Sequence, residues 1–176
     1  MASFAIGLEG ASFTTAYSFP TTTPEYPGPL IAPGTVAIAT DGAVWMFVKV
    51  ANSQTIAAGD AVYVSSTDTT FVVTSLANAA KALKGMLVGV AGAAVTSAAT
   101  SVSYMWIQRA GYAATVNVAT SSTANADLHT SATSGRLTST GSAGNSATVT
   151  GIVGLATAAS NTAACILNFP AIGVAD

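Results

Sequence analysis

The chain has 176 residues and a net charge of −2, and only 7% of its residues are charged, against roughly a quarter in an ordinary soluble domain. That length fits one domain, or two small ones sharing a core, and the five basic residues (Lys49, Lys81, Lys84, Arg109 and Arg136) form no run that would neutralise phosphates, which argues against a nucleic-acid partner. One cysteine, Cys165, excludes an internal disulfide framework.

The N-terminus, Met1 to Gly7, lacks the positive region of a secretory signal. Five of the six prolines then fall in Phe19–Gly34. Proline fixes φ and removes a donor, so this stretch is expected to be an extended arm rather than a helix or a central strand. Two readings of the arm stand: a surface linker, or a segment laid on a partner. Tyr26, Leu30 and Ile31 favour the second, and the predicted contact residues are Pro24, Tyr26, Pro27, Pro29, Leu30 and Ile31. Residues 1–34 are therefore read as an N-terminal segment and arm, and 35–176 as a body expected to fold without Phe19–Gly34.

The body opens with a predicted hairpin, Thr35–Thr40 and Ala43–Val50 around Asp41-Gly42, where a type I′ turn is expected. Along its second strand Val44, Met46, Val48 and Val50 point one way, and Trp45, Phe47 and Lys49 the other. Both faces carry bulk, so cover is expected on both sides, from a second sheet or a neighbouring subunit. Trp45, Phe47 and, further on, Trp106 are predicted core aromatics.

Short β-rich runs follow at Ala61–Val64, Thr70–Thr74, Met86–Ala91, Val102–Gln108 and Ala113–Val118. Asp127–Thr130, Arg136–Ser139, Ala147–Ala156 and Ala163–Phe169 complete the series. One helix is predicted among them, capped by Ser75 over Leu76–Lys84 and stopped at Gly85. Ser121–Asn125 and Ser139–Ser146 read as exposed connections. Residues 85–99 raise the hydropathy, but they are Gly, Ala, Thr and Ser around a few valines, far from the bulk of a membrane span.

A pattern recurs along these runs. Gly59-Asp60-Ala61-Val62-Tyr63, Gly85-Met86-Leu87-Val88-Gly89 and Tyr104-Met105-Trp106-Ile107-Gln108 are answered by Asp127-Leu128-His129, Gly151-Ile152-Val153-Gly154 and Ala164-Cys165-Ile166-Leu167-Asn168-Phe169. Repeat modules of about 59–111 and 125–170 follow. The fold class is all-β: a compact β-barrel or β-sandwich of about ten short strands, with an internal two-fold module duplication and the Pro-rich arm.

Candidate chemistry is sparse. His129 is the sole histidine, so a His-based metal site or proton relay lacks a second member. Asp127 and His129 share one face of a strand, yet no serine is singled out as a nucleophile. The acids are dispersed, and Asp60 and Asp127, each just ahead of a strand, read as turn-bonding groups rather than a shared ion site. Cys165, within a strand pattern and without a basic neighbour, reads as a buried inert thiol. No catalytic, cofactor-binding or metal-binding residue is assigned, and the chain is read as non-enzymatic.

The order of Asp41–Lys49, Ile56–Val62, Gly85–Ala91, Tyr104–Gly111 and the second copy ending Leu167-Asn168-Phe169-Pro170 resembles the decoration (cement) proteins of tailed bacteriophages. Met105 departs from that pattern, standing where a glycine before Trp is common. The resemblance implies a structural protein of the virion, a homotrimer bound to the exterior of an icosahedral head. It would bind the major capsid protein lattice and its own copies, stabilise contacts between capsid subunits, and be assembled in the bacterial host cytoplasm. It implies no cofactor and no membrane. The alternative reading is a carbohydrate- or surface-binding module, of a fibre, adhesin or ice-binding protein. Against the ice-binding form, no short solenoid period is present.

Overall fold

The computed structural model describes residues 12–20, 29–65, 71–77, 83–120, 122–140 and 146–175. The fold is all-β. Its strands are β1 (Tyr17–Pro20), β2 (Val36–Ile38), β3 (Val44–Val50), β4 (Thr55–Ile56), β5 (Ala61–Val64), β6 (Val72–Ser75) and β7 (Val88–Ala91). They continue with β8 (Val95–Thr96), β9 (Ser101–Asn117), β10 (Asp127–Thr130), β11 (Leu137–Thr138), β12 (Ala147–Gly154) and β13 (Thr162–Ala175). All but β4 and β8, which pair with each other, belong to one mixed sheet.

The pairings of that sheet close two rings. In the first, β3 pairs β9, β9 pairs β7, β7 pairs β5, β5 pairs β6, and β6 returns to β3 through a parallel link. In the second, the C-terminal half of β9 pairs β13, then β12, β10 and β11 follow, and a parallel bridge from Leu137 to Val118 closes the circuit. The closing bonds match: Ala51 N–H donates to Val73 C=O at 2.9 Å, and Ala119 N–H donates to Leu137 C=O at 2.7 Å. The internal duplication is thus a pair of five-stranded rings, each starting one strand upstream of the repeat legible in the sequence. Closure also removes most of the exposed edges that a flat sheet would leave.

Strand alternation fills the rings. Met46, Val48 and Val50 of β3 meet Met105 and Ile107 of β9 and Val62 and Val64 of β5 inside the first. Leu128, Leu137, Val149, Ile152, Cys165 and Leu167 form the core of the second, which continues beneath Val88 and Val90.

Several expectations change. The two runs Val102–Gln108 and Ala113–Val118 are one 17-residue strand, which serves as the last strand of the first ring and the first of the second. The run from Ala163 does not stop at Phe169 but continues to Ala175. Pro170 is tolerated because it lies where the pairing to β12 shifts register, between Thr150 opposite Ala171 and Ile152 opposite Leu167.

The Asp41-Gly42 hairpin forms, but with a three-residue loop. Gly42 N–H donates to Ala39 C=O at 2.9 Å and Ala39 N–H to Ala43 C=O at 2.8 Å. Thr40 and Asp41 are the central turn residues, and only Gly42 takes positive φ, at 83°. The Asp41 carboxylate accepts from Ala43 N–H at 3.0 Å, which favours a turn followed by a left-handed glycine over type I′.

Residues 78–82 of the predicted helix lie outside the described residues. Its proposed cap is otherwise employed: Ser75 ends β6, and its hydroxyl accepts from Ser134 Oγ at 2.9 Å. Within the two connections read as exposed, Ser122 and Ser146 are buried, and Ser122 Oγ accepts from Ser139 N–H.

Candidate functional site

The feature that sequence reasoning missed is a cover over the outer face of the first ring. On β3, Trp45 and Phe47 point away from the ring interior, as do Tyr104 and Trp106 on β9, with Phe47 directly opposite Trp106. Phe13 lies across them and Tyr17 borders them. β1 adds to β9 in antiparallel register, Tyr17 opposite Tyr104. Phe13 stacks on Trp45 at 4.9 Å between ring centroids and meets Trp106 edge-on at 5.2 Å. Phe47 stacks on Tyr104 at 5.7 Å. Burial of the Tyr104 phenol pushes its pKa above the usual tyrosine value.

The close approach depends on Gly92: a Cβ there would lie 2.2 Å from the Phe13 carbonyl oxygen and 2.8 Å from Trp45. The second side of β3 is therefore packed against the chain's own N-terminal segment rather than a second sheet. The sequence signal was the aromatic spacing Phe13, Tyr17, Phe19, which is not a clean alternation and stands beside prolines.

The predicted core aromatics fall in this layer. Trp106 and Phe47 are fully buried, and Trp45 is partly buried. Of the arm, Pro24, Tyr26 and Pro27 lie outside the described residues. Ile31 packs against the same aromatic layer, while Pro29 is half-buried and Leu30 is fully exposed. Gly34 N–H donates to Phe47 C=O at 2.7 Å. The body is thus not independent of Phe19–Gly34, because the end of β1, Ile31 and Gly34 all belong to the cover.

A cleft of about 460 Å³ opens between the loop before β5 and the β3–β9 pair, lined by Trp45, Gly59, Gly92, Gln108 and Tyr112, with Asp41 at one side. Gln108 Nε2 donates to the carbonyls of Ala110 (3.2 Å) and Tyr112 (2.9 Å), so its amide is committed to holding the strand bend. The lining offers Asp41 as its one carboxylate.

Elsewhere the polar groups serve the fold. Asp60 is buried and its carboxylate accepts from Ala57 N–H and from Asn117 Nδ2, each at 2.7 Å. That is the turn-bonding role, extended across the junction of the two rings. His129 Nδ1 lies 3.4 Å from Thr148 Oγ1 on the neighbouring strand. Asp127 is exposed, opposite Val153. Cys165 is buried in the second core, which pushes its thiol up to about 11. Arg109 is buried with Nη1 making no hydrogen bond, and desolvation pulls its pKa below the ordinary arginine value.

Among the described residues no three His, Cys, Asp or Glu side chains converge as a metal site. Among those same residues no helix is long and apolar enough to cross a membrane. Comparison with protein-family models, curated proteins and solved structures gives no match.

Among the described residues the exposed large apolar side chains include Leu87, which bridges Ala171, and Phe169 of β13, besides two further groups. Leu30, Val36 and Ile38 lie on or beside β2, and Tyr112, Val153, Leu155 and Ile166 lie on the outside of the second ring.

Proposed function

We propose that the protein is a non-enzymatic structural protein of a phage virion, which binds the exterior of an icosahedral head and stabilises contacts between major capsid subunits. One observation carries the reading. Asp41–Lys49, Ile56–Val62, Gly85–Ala91 and Tyr104–Gly111, which bear the resemblance to decoration proteins, supply four of the five strands of the first ring. The motif order therefore describes a folding unit rather than scattered short matches.

The surface chemistry is in keeping with this role. Few charges and several exposed apolar side chains suit repeated docking on a lattice, where many weak contacts sum to firm attachment. The protein acts as a homotrimer, the assembly that the resemblance implies. A sugar-binding platform is less well supported, because Trp106 and Phe47 are buried and offer no ring face to a ligand.

The test is addition of the purified protein to heads that lack it, read by mass spectrometry of washed particles and by cryo-electron microscopy. Saturable binding at a fixed ratio to the capsid protein, with density on the outer surface, is expected. Heads that take up none, or binding to a glycan array with no capsid occupancy, would overturn the reading.

A further inference from the structure

The two rings are built alike but finished differently. From the closing bonds, Val50 opposite Ser103 in the first ring corresponds to Val118, which donates to Asn161 C=O, in the second. Counting along the strands, Gln108 then corresponds to Ile166, Trp106 to Ala164 and Trp45 to Tyr112. The face that carries an aromatic slab under Phe13 in the first ring has, in the second, no such cover among the described residues. Its cover cannot be of the same kind. Val90 opposite Gln108 matches Val153 opposite Ile166, which puts the Leu155 side chain where Gly92 admits the Phe13 backbone.

That face of the second ring has a definite relief. Val153, Ile166 and Tyr112 are directly opposite one another on β12, β13 and β9 and form a ridge, exposed by 41%, 41% and 57%. The next row along the same strands is Leu155, Ala164 and Ala114, where two alanines leave a trough beside the exposed leucine. The sole charge on the ridge's line is Asp127, at its end, opposite Val153.

We propose that this face is where a second copy of the chain docks, related by a two-fold axis lying between the two rows and parallel to them. That axis seats each ridge in the partner's trough. Ile166 lies over Ala164 of the other copy, Tyr112 over its Ala114, and Val153 against its Leu155. A ridge adjoining a trough of matching length is self-complementary, which is what an isologous contact requires. The absence of charge within the patch removes like-charge repulsion between identical faces. Burying it on both sides covers on the order of 1,000 Å², the lower bound for a specific contact, which fits a weak, concentration-dependent dimer. This contact does not depend on the capsid-binding reading and is separate from the trimer that the resemblance implies.

The experiment is sedimentation of the full chain between about 5 and 200 μM, with Ile166→Lys and Ala164→Asp each alone and then mixed in equal amounts. Wild type is expected to show a concentration-dependent two-fold association that each single variant weakens at least tenfold. The mixture should recover it, because one interface row then sets the introduced lysine of one copy against the introduced aspartate of the other, while the second row stays native. Thermal melts of both variants check that each is folded. Wild type that stays without association at the highest concentration, or variants that associate as wild type does, would overturn the proposal. Weakened variants whose mixture recovers nothing would overturn the two-fold arrangement. If Ile166→Lys instead abolishes head binding by a protein that does not self-associate, the face belongs to the capsid contact and the proposal fails while the function stands. Wild type that self-associates as described but binds no heads would leave the dimer standing and overturn the capsid reading.

Discussion

The Asp60 carboxylate accepts a 2.7 Å hydrogen bond from the Asn117 amide, tying the loop ahead of β5 in the first ring to the strand that opens the second. The same carboxylate holds Ala57 N–H, also at 2.7 Å, and the residue is only 8% exposed. A charged acceptor shielded from water and fully used is worth more than an ordinary surface bond.

Asp60→Ala is therefore expected to destabilise the protein by about 2–3 kcal/mol, since it removes the buried carboxylate that accepts two part-buried hydrogen bonds. Asn117→Ala should cost less, about 1–2 kcal/mol, because Ala57 keeps its bond. Urea denaturation of both variants measures this. Two variants as stable as wild type would mean the junction is held by backbone pairing alone.

Gly92→Ala tests the aromatic cover. The added Cβ meets the Phe13 carbonyl oxygen, a backbone atom that cannot swing aside. A cost of about 1–3 kcal/mol is expected, as for other overpacked sites. Cleavage within residues 12–20 by a nonspecific protease should accelerate while the second ring stays resistant. Unchanged digestion would show that the segment tolerates the displacement.

Trp106→Ala removes the centre of the same layer, a side chain with no exposed surface that touches both Phe13 and Phe47. A loss of about 3–5 kcal/mol is expected, read as a lowered melting temperature. A variant with the wild-type melting temperature but reduced head binding would make Trp106 a contact residue instead.

The Cys165 thiol gives a pH dependence with a definite sign. Burial raises it from the ordinary value of 9.0 to about 11. The folded state thus holds the proton more tightly than the unfolded chain. The resulting stability is complete below pH 9 and is lost as the pH rises from 9 towards 11. Cys165→Ala should flatten that decline. At pH 8 the native thiol should resist a maleimide that labels the denatured chain at once. Rapid labelling of the native protein would contradict the burial.

Much of the fold was legible because strand alternation and glycine-bounded turns are local signals. Met46, Val48 and Val50 enter the first core as their spacing requires, and Ala61–Val64 and Asp127–Thr130 are strands with the predicted bounds. The duplication was legible in Gly85 and Gly151, but its true unit was not. Val102–Gln108 and Ala113–Val118 read as two runs because Gly111 interrupts the apolar pattern, and only long-range pairing shows that one strand serves both rings. The cover was illegible for a related reason. Nothing near Phe13 or Gly92 announces that they meet, since their contact is set by the ring that stands between them in the chain. Asp60 was recognised as a turn residue, whereas its bond to Asn117, 57 positions away, is purely tertiary.

The arm can now be tested without disturbing the body. Excising Phe19–Gly34 would strip β1 of its last residues, remove Ile31 from the aromatic layer and break the bond from Gly34 to Phe47. Loss of binding in that deletion would report misfolding as readily as a lost contact. Leu30 is the better probe, because it is fully exposed between Pro29 and Ile31, and Ile31 anchors it beside the cover. A chain already held by proline on one side and by an anchor on the other surrenders little conformational freedom when its exposed residue docks. Leu30→Ser is therefore expected to leave stability within about 0.5 kcal/mol of wild type, as for other surface positions. Head occupancy at limiting protein should fall severalfold, measured by quantitative mass spectrometry of washed particles. Should Leu30→Ser saturate the heads with unchanged affinity and stoichiometry, the contact proposed for this part of the arm is not made, and Leu30 lies on a plain linker.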